Sequence, residues 1–175
     1  MSINDTITEI HDELGTSKVL PITALSGVRD ELRERQLTVG LAHGCFDILH
    51  SGHVHYLTQA ARRCDVLFVS ITSAPHVNKG PGRPVFDDEA RSAVLSALEV
   101  VGHVVVNDAP TAIPVLEALR PDFYFKGADY SNTDDPRLLD EIEALRGHGG
   151  AFVLTDGTVF DSSTRAVRIL QGANR

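Results

Sequence analysis

The feature that most restricts the fold is a repeated alternation. Five short runs rich in β-branched and aromatic residues are each separated by a segment with apolar residues at helical spacing. The runs are LTVGLA (37–42), DVLFVSIT (65–72), HVVV (103–106), DFYFK (122–126) and AFVLT (151–155). Strands this apolar must be covered on both faces, as in a parallel sheet between two helical layers. The helical segments are marked by Leu25, Val28 and Leu32; by Val54, Leu57, Ala61 and Cys64; and by Ala90, Val94 and Leu98 behind an Asp87 cap. A short helix follows, capped by Thr111 with Pro114 in its first turn, and another runs from Pro136 to about Arg146. Ser162 or Ser163 caps the last helix. The expectation is a doubly wound α/β fold, a five-stranded parallel sheet in the order 3-2-1-4-5. Such sheets bind ligands beyond the carboxyl ends of their strands. Polar residues cluster there: His43 to His53, Lys79 to Arg83, Lys126 to Tyr130, and Ser162 to Arg165.

The chain's 175 residues fit one domain, read as 19–175 behind a polar N-terminal extension, 1–18. The two cysteines, Cys45 and Cys64, form no CxxC pair, which points to a reduced, cytoplasmic setting. The N-terminus, MSINDTITEI, lacks the apolar core of a secretory signal, and no apolar run approaches a membrane span. A net charge of -8 argues against nucleic-acid binding, which needs a basic footprint. It leaves room for a nucleotide, which needs only local positive charge and backbone N–H groups.

The segment HGCFDILHSGHVHYL (43–57) follows the first strand. Gly44 allows a sharp turn or close approach to a ligand. Gly52 leaves the next helix start unshielded, where N–H groups and positive partial charge suit a phosphate. His50 and His53 flank that start, and their imidazole N–H groups can donate to phosphate oxygens without a permanent charge. Two alternatives stay open on the residues alone. His50, His53 and His55 with Asp47 have the composition of a metal site, or the histidines are caps and surface residues. His55 itself reads as an exposed helical residue, and Phe46 as core.

GCFDILHSGHVHYL resembles the signature of the His-x-Gly-His nucleotidyltransferase superfamily, Rossmann-like enzymes that include glycerol-3-phosphate cytidylyltransferase. Within it the chain is most similar to the adenylyltransferase domain of ADP-heptose synthase. The resemblance runs from about Val19 to Leu170. It includes KGPGRPV (79–85), the Arg91 helix, RPDFYFKGADY (120–130), HGGAFVL (148–154) and SST (162–164).

The resemblance implies that His50, His53 and Lys79 act on the triphosphate, and that Gly44, Cys45, Phe46 and Gly52 form the nucleotide-binding turn. Arg83 is implied as a phosphate contact or a loop anchor, and Arg91 as a site-facing arginine or a surface ion pair. Gly127 and Asp129 of KGADY hold nucleotide or substrate. Ser163 and Thr164 bring a helix start to phosphate. Asp47 reads as structural. Three positions depart from the family's pattern: His43 replaces asparagine or threonine, Ala74 an aspartate, and Asp161 a small residue. The implied reaction is nucleotidyl transfer from ATP to a sugar 1-phosphate such as heptose 1-phosphate, with Mg²⁺ held by the phosphates. The first alternative is CTP with a polyol phosphate or phosphonate. A nucleotide-binding module without turnover is the second. A homodimer, and a separate sugar kinase upstream, are the implied partners.

Overall fold

The computed structural model describes residues 18–130 and 134–156. Among these, the five expected runs become strands β2 (Val39–Gly44), β3 (Val66–Thr72), β4 (His103–Asn107), β5 (Phe123–Lys126) and β6 (Ala151–Leu154). A two-residue strand that the sequence did not reveal, β1 (Val19–Leu20), is added at the edge. All pairings are parallel, in the order β1-β4-β3-β2-β5-β6. The expected order of the five long strands holds, and the correction is the sixth. β2 ends two residues later than expected, so His43 and Gly44 belong to the strand.

Among the described residues, five α-helices cover the sheet: α1 (Leu25–Glu34), α2 (Ser51–Ala61), α3 (Asp88–Ser96), α4 (Ile113–Leu119) and α5 (Pro136–Arg146). Side chains alternate along each strand, so the sheet feeds two cores. Val39, Leu41, Phe68 and Tyr124 meet α1, α4 and α5. Ala42, Leu67, Val69, Ile71 and Phe125 meet α2 and α3. Among the described residues, no helix is long and apolar enough to cross a membrane.

The inner faces of α2 and α3 differ from expectation. Val54 and Val94 are exposed; Leu57 is buried as expected, joined by Ala60 of α2 and by Arg91, Ser92 and Leu95 of α3. Cys64 falls beyond α2 and packs where a Cβ on Gly40 would lie. Asp87 caps α3 as expected, accepting from Ala90 N–H at 2.8 Å. Thr111 does not cap α4. The Glu141 carboxylate reaches from α5 and accepts from Ala112 N–H at 2.7 Å, so the helix start is satisfied by another helix.

Candidate active site

β2 and β3 lie at the centre of the sheet, and the connections that leave their carboxyl ends build the site. After Gly44 the chain turns through Phe46, a non-glycine residue at φ 45°, a conformation that costs free energy unless its surroundings enforce it. The buried Phe46 ring supplies that enforcement. It packs 5.3 Å from the His53 ring and 6.4 Å from Tyr56. A Cβ on Gly44 would sit 3.2 Å from that ring, so Gly44 admits Phe46 rather than making the turn itself. Asp47, 4% exposed, is structural: it accepts from Val85 N–H at 2.7 Å and Phe86 N–H at 3.1 Å and pairs with Arg83.

α2 begins beside this turn. His50 is its N-cap, and its Nδ1 accepts from Gly52 N–H at 3.2 Å, so the helix start is not bare as the sequence suggested. An accepting Nδ1 puts the neutral ring's proton on Nε2. His53 sits one turn in, its ring 3.9 Å from that of His50. Its Nδ1 is buried and has no hydrogen-bond partner among the described residues. Burial, then His50 and Lys79, depress the His53 imidazole to about 4, so it is neutral at pH 7. His55 turns away to bond Gln59 on the next turn of α2. The four candidate metal ligands of this segment therefore do not converge. Among the described residues, no three His, Cys, Asp or Glu side chains do.

The loop after β3 closes over the turn. Gly80 and Gly82 take positive φ, 93° and 73°, which lets KGPGRPV fold back. Lys79 is exposed on this loop and lines a pocket with Gly44 and Cys45. Arg83 is a loop anchor through Asp47, with Nη2 buried and unpartnered among the described residues. Arg91, 2% exposed, donates to Cys45 O at 2.7 Å, Thr72 O at 2.9 Å and Phe86 O at 3.1 Å, and it pairs with Asp88. It faces inward, and its guanidinium ties three segments together.

The pocket, about 280 Å³, opens at the carboxyl ends of β2, β3 and β5 and reaches α5. His43 forms part of its wall, with Nδ1 2.6 Å from Ser70 Oγ and Nε2 3.4 Å from Thr72 Oγ1. Burial, then Lys126, depress this imidazole to about 3. Lys126 and Glu141, both buried, also line the pocket. Sequence reasoning did not single out this pair, although a lysine closing an apolar strand run and an acid on the buried stripe of α5 were visible signals. Gly127 O accepts from Tyr130 N–H at 3.0 Å, opening a 3-10 turn, Ala128–Tyr130, whose backbone includes Asp129. The Asp129 side chain, Asp161, Ser163 and Thr164 lie outside the described residues.

A cytidylyltransferase-like family model matches residues 41–168, well over half of the chain. The chain belongs to the cytidylyltransferase-like family. As a member it is a nucleotidyltransferase. It is similar to the bifunctional protein HldE of Paramagnetospirillum magneticum, 36% identical over 97% of this chain and 35% of that protein. HldE of Mesorhizobium japonicum is 40% identical over 81% of this chain and 28% of that protein. The chain therefore spans about a third of the length of these curated relatives. Among solved structures, a lipopolysaccharide core biosynthesis protein from Thermoplasma volcanium has a TM-score of 0.60 at 26% identity, covering 70% of this chain and 99% of that one. Pantoate-beta-alanine ligase from Francisella tularensis has a TM-score of 0.57 at 15% identity, covering 80% and 67%, and shares the fold. The family match contains the whole turn from Gly44 to His53, the Lys79 loop and the pocket residues.

Proposed function

We propose that the chain transfers the adenylyl group of ATP to a sugar 1-phosphate of the heptose 1-phosphate kind, releasing pyrophosphate. The observation that carries this reading is the His50–His53 pair at the start of α2, with His53 Nδ1 buried and unpartnered among the described residues. An unpaired buried polar nitrogen costs about 1–3 kcal/mol, a cost that a phosphate oxygen would remove. In the reaction an acceptor phosphate oxygen forms a bond to the α-phosphorus. The bond from that phosphorus to the bridging oxygen breaks, and pyrophosphate leaves with the electron pair. No protein nucleophile takes part. The chain's own work is to hold the phosphates in line and donate hydrogen bonds to oxygens that gain charge. His53 and His50 do this from α2, and Lys79 from the loop after β3.

Mg²⁺ is the implied companion of the triphosphate. Asp47, the carboxylate within the turn, is committed to Arg83 and two N–H groups. The ion would therefore be held chiefly by phosphate oxygens, where it supplies charge neutralisation. ATP and a sugar 1-phosphate are favoured by the KGADY segment and by the similarity to the HldE proteins. A cytoplasmic homodimer, fed by a separate sugar kinase, belongs to the same proposal.

The test is a panel of four nucleoside triphosphates with Mg²⁺ against sugar 1-phosphates and polyol phosphates, read by pyrophosphate release. ATP with a sugar 1-phosphate should be the fastest pair. Faster release from CTP with a polyol phosphate would move the assignment to that chemistry. No release from any pair would leave a nucleotide-binding module. Recovery of a nucleotidylated protein after mixing with labelled triphosphate alone would refute direct transfer.

A further inference from the structure

His76 and the residues behind it form a polar cluster at the wall of the pocket, one that the triphosphate turn does not use. Ala74–His76 is a 3-10 turn just after β3, with Pro75 in it. Its start is fixed from two sides. Ala74 N–H donates to the Asp88 carboxylate at 2.9 Å, and Ser73 N–H donates to Asn107 O at 3.0 Å. Ser73 is buried, and its hydroxyl donates to Asp108 Oδ1 at 2.8 Å. The same carboxylate oxygen lies 3.4 Å from His76 Nε2. A carboxylate can only accept, so it favours the neutral tautomer that carries its proton on Nε2. Nδ1 then holds the lone pair with which the ring can accept. His76 lines the pocket, so a neutral hydrogen-bond acceptor stands on that wall.

Which reactant would meet it follows from the reaction. Gly44, Cys45 and Lys79 line the pocket, whereas His50 and His53 do not. A triphosphate held at the turn would lie beside the pocket and not within it. The acceptor phosphate has to reach the α-phosphorus, which puts it at the shared edge. The rest of the acceptor then extends into the pocket. The volume, about 280 Å³, is close to the lower end of the roughly 300–1,000 Å³ found for small-molecule sites, and it suits a small acceptor. Two further groups of the same wall are neutral at pH 7: the Thr72 hydroxyl, and His43, whose Nε2 lies 3.4 Å from it. Such groups match hydroxyls. A site built to bond a hydroxyl also rejects an analogue without one, because the covered acceptor is then left unpaired.

We infer that His76 selects the acceptor by accepting a hydrogen bond from one of its sugar hydroxyls, with Asp108 and Ser73 orienting the ring. The inference rests on the nucleotidyl-transfer reading above. The contact moves no proton; His76 binds and orients. It lies three residues before Lys79 on the same connection, so one loop would hold the acceptor and reach the phosphates.

The experiment uses the full chain saturated with Mg²⁺ and α,β-methylene ATP, which cannot be cleaved between its α- and β-phosphates. Heptose 1-phosphate and cyclohexyl phosphate, a ring monoester without hydroxyls, are titrated onto it by calorimetry. The wild type should prefer the sugar by about threefold or more. His76→Phe keeps a flat ring and removes both nitrogens. It should weaken heptose 1-phosphate about three- to tenfold, the loss of one hydrogen bond, and leave cyclohexyl phosphate within about twofold. His76→Gln, which keeps an acceptor, should weaken the sugar less. The Asp108 side chain is 82% exposed, so Asp108→Ala should cost about twofold or less. No preference for the sugar in the wild type, or a preference unchanged in His76→Phe, would overturn the assignment. Equal loss of both monoesters would show that the ring only shapes the pocket, and would overturn it too. Weaker α,β-methylene ATP binding in His76→Phe, with the sugar preference intact, would place the hydroxyl on the nucleotide's ribose and do the same. A wild type that binds no nucleotide would instead overturn the nucleotidyl-transfer reading, and this inference with it.

Discussion

At the start of β2, Thr38 and Val39 give their N–H groups to the carboxylates of Asp65 and Asp122, each at 2.7 Å. The Thr38 hydroxyl also bonds Asp65, and Asp122 pairs with the buried Arg29 at 2.9 Å. At the other end of the strand, the turn and helix after Gly44 are equally polar, but the matching is incomplete. Asp47 and Arg91 are engaged in holding loops, while His53 Nδ1 and Arg83 Nη2 are buried without partners among the described residues. The saturated end stabilises the fold. The carboxyl end keeps unsaturated groups beside its saturated ones, and on the proposed reading these are the groups that a phosphate would meet.

The largest effect should come from the unsaturated end. His53→Ala should lower turnover by about 10²-fold or more, the size seen when one donor to a developing oxyanion is lost. Stability should change by less than about 1 kcal/mol, because the ring lies on the rim beside Phe46 and not within the core. Triphosphate affinity should hold, since His50 and Lys79 remain. Steady-state kinetics with a denaturant melt would check this. Equal loss of stability and turnover would erase the contrast between the two ends.

Asp122→Ala reverses the pattern. It removes the acceptor of Val39 N–H and of Arg29 Nη2, while Arg29 keeps its bonds to Arg120 O and Leu37 O, and should cost about 1–3 kcal/mol of stability. Turnover of the folded fraction should be unchanged. A kinetic defect in that fraction would show that the two ends are not independent.

The expectations that succeeded are features carried within one segment, namely five apolar runs, the Asp87 cap and the turn that puts His50 and His53 together, plus the strand order that their alternation implies. β1 escaped notice because two residues show no alternation. On α2 and α3 only Val54 and Val94 were misplaced, because both stripes mix small and polar residues. On α3 the buried side chain at the centre is Arg91, whose partners belong to two other connections. The pocket was hidden for a related reason. His43 meets Ser70 and Thr72 across a strand pair, and Lys126 meets Glu141 across a crossover. Such contacts follow from sheet register, and no spacing in the sequence encodes them.

A smaller effect separates His43 from an ordinary histidine. Its folded pKa of about 3 lies below the roughly 6.5 of an unfolded chain. As pH falls from about 6.5 toward 3, the unfolded state takes up a proton that the folded state refuses, and stability is lost. Above that window His43 contributes no pH dependence. His53 acts in the same sense, down to about 4. His43→Asn should therefore shrink the loss of stability between pH 7 and pH 5, measured as the shift in denaturant midpoint. An unchanged shift would mean that His43 protonates in the folded protein.

The smallest effect should be that of His55→Ala. Its ring is bonded to Gln59, which in turn accepts from Asp156 N–H at 2.8 Å. Stability should stay within about 0.5 kcal/mol and turnover should not move. If His55→Ala matches His53→Ala in kinetics, the assignment of the phosphate-facing histidine is wrong.

The Arg91 guanidinium and the Asp47 carboxylate have a consequence for how such a site can diversify. Thr72 O is fastened at one end of the connection after β3, and Val85 N, Phe86 N and Phe86 O at the other. Both fasteners lead back to the turn that carries His50 and His53, through Asp47 itself and through Cys45 O. The stretch between them behaves as a cassette with fixed sockets. Its interior, Ala74 included, can change in sequence around a retained Lys79 while its ends return to the same coordinates. Loop residues that line the pocket can then change without the turn at His50 and His53 being rebuilt.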